Sequence, residues 1–489
     1  MSPAVHSSFS PLYTANMNGY NTNSDDDLQH TPPQDTMVIP PQVRSYDATI
    51  PYEQKDLIQH YMSNVLPIQY LLSDMSSISS FIYHLIRSSP SARNAACVLA
   101  AIHREATNYS TYPDGRNGTA EFLVGRLSLS LKQKTEVTEG DAMAGLHAIS
   151  TILFRGGRGS WENFLCVASE YVREVLENNK FYGPEDVMMR CTESTRFIIK
   201  TTMWFDVLAS VTTQSVPRFL ETYKQLFDTP SGAYIEDPAN YTWNGMRRSP
   251  PQTSMLPVMG CENSIVLAIA EISELAYWKE MQIRKNSLSV PQLVERGMEI
   301  ERKYLTPSGP SVLRPDMPHP ELMQPQQAGM YGRHGHPNGG SGLNGMQNGM
   351  QAPMGKIRRQ YTNDIFRASA RLYLHTVLSG DYPSCPEIIE SVTEVIQCLE
   401  RVPLERSMLS RSVLRSVVFG ICIAGCLTEN PRQRDFLMRL LDSQEGEPVG
   451  NLRQVRELMR QVWERRNHMH GQAVNWREVM RSQGELLLV

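Results

Sequence analysis

The sequence predicts an all-α fold, one large helical domain, on three observations. First, apolar residues recur at helical spacing. Between Asp56 and Leu72, for example, Leu57, Ile58, Tyr61, Met62, Val65 and Leu66 fall at i, i+4 and i+8. Second, the period-two alternation of half-buried strands is almost absent. Third, Val413 to Leu427 reads VLRSVVFGICIAGCL, apolar or small except for Arg415 and Ser416. Two amphipathic stretches, VRELMRQVWERR and NWREVM, follow it. A helix buried on every side needs a large helical body around it.

Taken in order, residues 1–50 are rich in Ser, Pro, Asn, Thr, Asp and Gln and carry too little apolar surface to offset chain entropy. They are expected to be disordered. The first part of the helical domain, 51–305, holds helices expected at Asp56–Leu72, Ala92–Thr107, Asp141–Phe154, Trp161–Asn178, Glu193–Val211 and Glu262–Arg284. Residues 306–355, a Gly/Pro/Met/Asn/Gln stretch containing HPNGGSGLNGMQNGMQAPMG, read as one long disordered low-complexity insertion or linker. The helical domain resumes over 356–489 with a helix at Thr362–Leu378 that stops at Gly380. Ser384-Cys385-Pro386-Glu387 has capping-box spacing, and Ile388, Val392, Val395, Leu399 and Val402 form the stripe behind it. No fixed-period repeat accompanies these helices.

Composition narrows the function. Lys and Arg number 47 against 51 Asp and Glu, a net charge of −4. Such balance argues against the whole 489-residue chain coating nucleic acid or a membrane surface, which takes surplus cations. No window of about eighteen apolar residues is present, so no membrane span is expected. The N-terminus lacks a signal-peptide pattern, and an intracellular, soluble protein is the expectation. The eight cysteines, Cys97 to Cys426, mostly sit in apolar helical context and read as buried hydrophobes rather than disulfide partners.

Motifs for chemistry are missing. There is no Walker lysine, no Gly-x-Ser-x-Gly, no His-Glu-x-x-His and no dinucleotide fingerprint, so an enzyme is not expected. Arg155-Gly156-Gly157-Arg158-Gly159-Ser160 imitates a phosphate loop but follows a helix, and a turn between helices is the plainer reading. Cys422 and Cys426, one helical turn apart, read as core. His334, His336, His468 and His470 read as incidental. From Asn451 to Arg481 seven arginines (453, 456, 460, 465, 466, 477 and 481) face three glutamates. Arg453, Arg456 and Arg460 share one helical face, either a simple solvated face or a contact for phosphate or an acidic partner. Lys356-Ile357-Arg358-Arg359 is a weak nuclear-import signal.

Several phrases in order resemble the fungal-specific transcription factor domain of the zinc-cluster-associated second type. They are SWENFLCVASEYV (160–172), MWFDVLASVT (203–212), MGCENSIVLAIAEISELA (259–276), RLYLHTVLSGDYP (371–383), the VVFGICIAGCLT helix, and the ending VWERR, NWREVM and LLLV. The resemblance covers roughly 51–489 and implies a nuclear regulator of transcription with a helical regulatory domain. It also raises a zinc cluster, which needs six thiolates in Cys-x-x-Cys halves. No Cys-x-x-Cys occurs here, so no DNA-binding residue carries over. No cofactor is expected in this chain, zinc belonging only to a full-length relative with the cluster. Transcription machinery or other regulators are the expected partners, with a homo- or heterodimer possible and DNA reached only indirectly or through that missing cluster.

The matched phrases single out Trp161, Trp204, Asp206, Cys261, Trp463 and Trp476. The tryptophans lie on or beside apolar helical faces and are expected to anchor helix contacts. Asp206, between Phe205 and Val207, needs an Arg or a backbone amide if buried, because an unpaired interior carboxylate is costly. A structural ion pair or an effector contact are its two readings. A cytoplasmic helical scaffold and a small-molecule-sensing helical protein are the alternative functions.

Overall fold

A computed structural model describes residues 50–108, 117–228, 251–306 and 343–489, apart from 404, 406, 445 and 470–472. The chain starts with α1 (Tyr52–His60), widens into a π-turn (Tyr61–Val65) and restarts as α2 (Leu66–Gln69). The single helix expected from Asp56 to Leu72 is therefore broken. Pro67 has no N–H for the carbonyl one turn back, and the π-turn before it accommodates the lost bond. Next come α3 (Met75–Ser88), α4 (Pro90–Asn108), α5 (Asn117–Lys132) and α6 (Glu139–Phe154). α6 begins on a capping box. Thr138 Oγ1 accepts from the Asp141 N–H at 3.3 Å, and Asp141 Oδ2 accepts from the Thr138 N–H at 3.0 Å.

The middle of the chain gives α7 (Trp161–Leu176), α8 (Pro184–Arg190), α9 (Glu193–Thr213), α10 (Leu220–Phe227), α11 (Leu256–Met259), α12 (Asn263–Arg284) and α13 (Val290–Ile300). After a second π-turn and the undescribed stretch come α14 (Leu343–Ser379), α15 (Pro386–Glu400), α16 (Met408–Ser416), α17 (Val418–Leu427), α18 (Pro431–Asp442), α19 (Leu452–His468) and α20 (Trp476–Arg481).

Three expectations change here. α14 begins at Leu343, inside the stretch read as linker. Once its buried later turns are formed, extending a helix backwards costs only propensity, with no second nucleation. The disorder expected over 1–50 and the rest of 306–355 lies almost wholly outside the described residues, as do His334, His336 and His470. α15 starts after Cys385, with Pro386 in its first turn, so Ser384 is not its cap. Proline's fixed φ defines the start one residue later, and the Cys385 thiol donates to Glu387 at 2.8 Å. Val413–Leu427 is not one helix. It breaks at Val417, and α16 and α17 meet at 67°. Ser412 and Ser416 hydroxyls bond back to Leu409 and Ser412 carbonyls at 3.0 and 2.7 Å, loosening the ladder before the break.

The all-α expectation holds. Among the described residues the one β feature is an isolated bridge between Arg158 and Leu486. α4 lies on α6, and α6 on α7 and α9. α12 joins α9 to α14, α14 carries α15 and α17, and α17 carries α19. One continuous hydrophobic core runs through all of them, from Ile50 to Leu488. Among the described residues no single helix is long and apolar enough to cross a membrane.

Candidate functional site

The residues singled out by sequence fall into two sets. The first set holds helices together. Trp161, first residue of α7, and Trp476, first residue of α20, are buried in the core. Trp204 on α9 meets Phe366 of α14 edge-on, ring centroids 4.9 Å apart. Cys261 is fully buried at the start of α12, and burial pushes its thiol well above the usual range. The glycine before it has a conformational reason: Gly260 closes α11 at φ 62°, and a Cβ there would stand 2.7 Å from Leu72 Cδ1. Trp463 is half-buried. Its indole N–H donates to the Gly425 carbonyl at 2.8 Å, and Arg434 covers its ring at 4.9 Å.

Asp206 is buried within α9, and three groups meet its carboxylate. Tyr223 Oη donates at 2.8 Å, the Phe219 N–H at 3.3 Å, and the Arg218 guanidinium lies at 3.5 Å. Burial nevertheless pushes its carboxyl up to about 6, against the pull of Tyr223, Arg218 and the backbone donors. These contacts tie α10 and the turn before it to α9.

The second set concerns the C-terminal arginines, which prove to have different tasks. Arg466 is buried and donates to the Cys426 carbonyl at 2.7 Å, closing the end of α17. Arg477 donates to the Val211 carbonyl at 3.2 Å and Arg481 to the Thr212 carbonyl at 3.3 Å, both at the negative end of α9. Arg456 pairs with Asp442 at 2.6 Å. Arg453 and Arg460 are exposed, with no side-chain partner among the described residues. The basic stripe of the sequence is thus only partly a stripe.

Sequence reasoning missed the purpose of the glycine-rich turn after α6. Gly157 sits at φ 81°, its carbonyl accepts from the Leu487 N–H at 3.0 Å, and Arg158 donates to the Met480 carbonyl at 3.1 Å. A Cβ on Gly157 would stand 3.1 Å from Asn451 Cβ and from the Leu487 carbonyl. The turn is a seat for the C-terminal segment. The run of C-terminal apolar residues, Leu486 to Leu488, was the available signal.

Between these two ends of the chain lies a cleft of about 1310 Å³. Arg453, Arg456 and Arg460 of α19 all line it, with Arg155 and Arg415. The facing wall is built by α2, α4, α6, α9 and α11 and includes Leu72, Leu153, Phe154, Phe205 and Met259. Trp204 reaches the same wall, while Asp206 does not line the cleft. Behind the wall, burial, with His60 and Arg415 nearby, lowers His103 to about 4 and keeps it neutral.

The profile of the fungal-specific transcription factor domain matches residues 56–489, essentially the whole helical body just described. The chain belongs to that family. Its curated relatives are regulators of transcription, and so is this chain. A trichothecene biosynthesis transcription regulator of Fusarium sporotrichioides is 22% identical over 88% of this chain and 97% of its own length. One of Trichoderma arundinaceum is 27% identical over 47% of this chain, and the aligned part spans 44% of that protein. The ustiloxin B cluster transcription factor of Aspergillus flavus is 23% identical over 57% of this chain and 40% of its own length. No solved structure matches. Among the described residues no three His, Cys, Asp or Glu side chains gather as a metal site, and Cys422 and Cys426 are fully buried.

Proposed function

We propose that this fungal-family regulator acts in the nucleus on the genes of a biosynthetic cluster, through contacts of its helical body rather than through a reaction. Transcription machinery or other regulators are the proposed partners, in a homo- or heterodimer. Its link to DNA is indirect, through a partner, or runs through a zinc cluster outside these residues. No cofactor is assigned to the chain itself. The observation that carries the reading is the family match running over the same residues, 56–489, that build the helical core. The relatives' printed names supply the biosynthetic-cluster part.

Transcript profiling of a deletion strain tests this. Expected is the coordinated loss or gain of transcripts from neighbouring biosynthetic genes, with a fluorescently tagged chain concentrated in nuclei. An unchanged transcriptome under conditions where the protein accumulates, or a tagged chain excluded from nuclei, overturns the proposal.

A further inference from the structure

We infer that the cleft between the α2–α4–α6–α9 wall and α19 is a binding site for a small amphipathic organic acid, one apolar body with a carboxylate-type anion. Three properties of the cleft carry the inference.

The first is unbalanced charge. Five arginines line the cleft against Glu105, Glu447 and Glu457. Glu447 is shared between Arg411 at 3.0 Å and Arg415 at 3.3 Å, two guanidinium groups on one carboxylate. Asp442 answers Arg456 alone, and Glu457 already accepts from Gln461 at 2.8 Å. Arg453 and Arg460 are left with no side-chain partner among the described residues. Guanidinium groups facing a cleft are suited to a carboxylate, which they bind by charge-assisted and often paired hydrogen bonds.

The second is unmet polar capacity deep in the same space. Thr201 is 2% exposed and lines the cleft. Its Oγ1 has no hydrogen-bond partner among the described residues, and a hydroxyl can donate to an anion. Leaving a buried polar atom without a partner is costly, and one that borders a cleft can be met by a ligand group. The third is the apolar lining: Ile68, Leu71, Leu153 and Val258 are half-buried and would be taken further from water by a ligand body. An acid head held by the α19 arginines and the Thr201 hydroxyl of α9, with its apolar body against α6, uses all three at once. The bound acid then bridges the first and last parts of the domain.

Binding is read on purified protein and does not depend on the regulatory proposal; only its consequence for transcription rests on that reading. The probe is 8-anilinonaphthalene-1-sulfonate, an apolar body with one anionic group, titrated into the full chain. The expected result is a saturable one-to-one fluorescence rise, reversed by octanoate and not by octanol. The double variant Arg453→Gln/Arg460→Gln is expected to weaken both ligands roughly tenfold or more. Both side chains are exposed, so its melting temperature is expected to match the wild type. Arg284→Gln, at an exposed arginine outside the cleft, is expected to change nothing. Unsaturable binding, equal displacement by octanol, or equal affinity in the double variant would overturn the site.

Discussion

α17 and α19 lie against each other and play opposite parts. Every residue of α17, from Val418 to Leu427, is buried. α19 buries Val455, Leu458, Met459 and Val462 on one face and turns Arg453 and Arg460 outward on the other. α17 is closed off at its end by its neighbour: Trp463 holds the Gly425 carbonyl and Arg466 the Cys426 carbonyl. A helix enclosed on all sides can only contribute stability. One that faces both a core and a cleft can pass a change at the cleft to the core.

Substitutions should separate these two roles, and the largest effect belongs to α17. Phe419 is fully buried and meets Tyr373 edge-on at 6.0 Å. Phe419→Ala should destabilise the domain by about 3–5 kcal/mol, from lost burial and the cavity left behind. Chemical denaturation measures it, and a loss under 1 kcal/mol would show that α17 is less enclosed than described.

Second in size is a pH effect at α9. Asp206 titrates at about 6 in the fold against 3.8 normally, so the folded state holds its proton more tightly than the unfolded one. Stability from this group is therefore greatest below about 4, and is lost as pH rises through about 6. Relative to Asp206→Asn, the wild type should lose on the order of 2–3 kcal/mol across that window and nothing further above it. Parallel stability–pH curves for the two proteins would contradict the buried, partly compensated carboxylate.

Trp463→Ala comes third. The indole is half-buried, donates one hydrogen bond and stacks with one arginine, so about 2–3 kcal/mol is expected, less than for a fully enclosed tryptophan. Thermal unfolding of the variant checks this ordering against Phe419→Ala. Smallest is Arg453→Gln/Arg460→Gln, expected within about 0.5 kcal/mol of wild type because neither side chain has a partner to lose. A larger loss would mean that these arginines belong to the scaffold.

The same contrast explains what was legible in the sequence. Helical period and the VVFGICIAGCL run reveal α17, because full burial leaves an unbroken apolar signature. Departures from that reading came from single residues: Pro67 in the first helix, Pro386 at the start of α15, and the serines before Val417. Arginine tasks were illegible for another reason. Arg453, Arg466 and Arg477 look alike in sequence, and only the fold shows that Arg466 and Arg477 meet carbonyls of α17 and α9 while Arg453 lines the cleft. The cleft itself is made of residues hundreds of positions apart, joined by the Gly157 seat for the C-terminal segment, and no local pattern announces it.

The most direct measurement joins the cleft to transcription. The full chain is fused to an unrelated DNA-binding domain and assayed on a reporter, beside the same fusion carrying Arg453→Gln/Arg460→Gln at equal abundance. The account predicts that the wild-type fusion shifts reporter output and that the double variant loses most of that shift while remaining folded. Equal output from both fusions would contradict it.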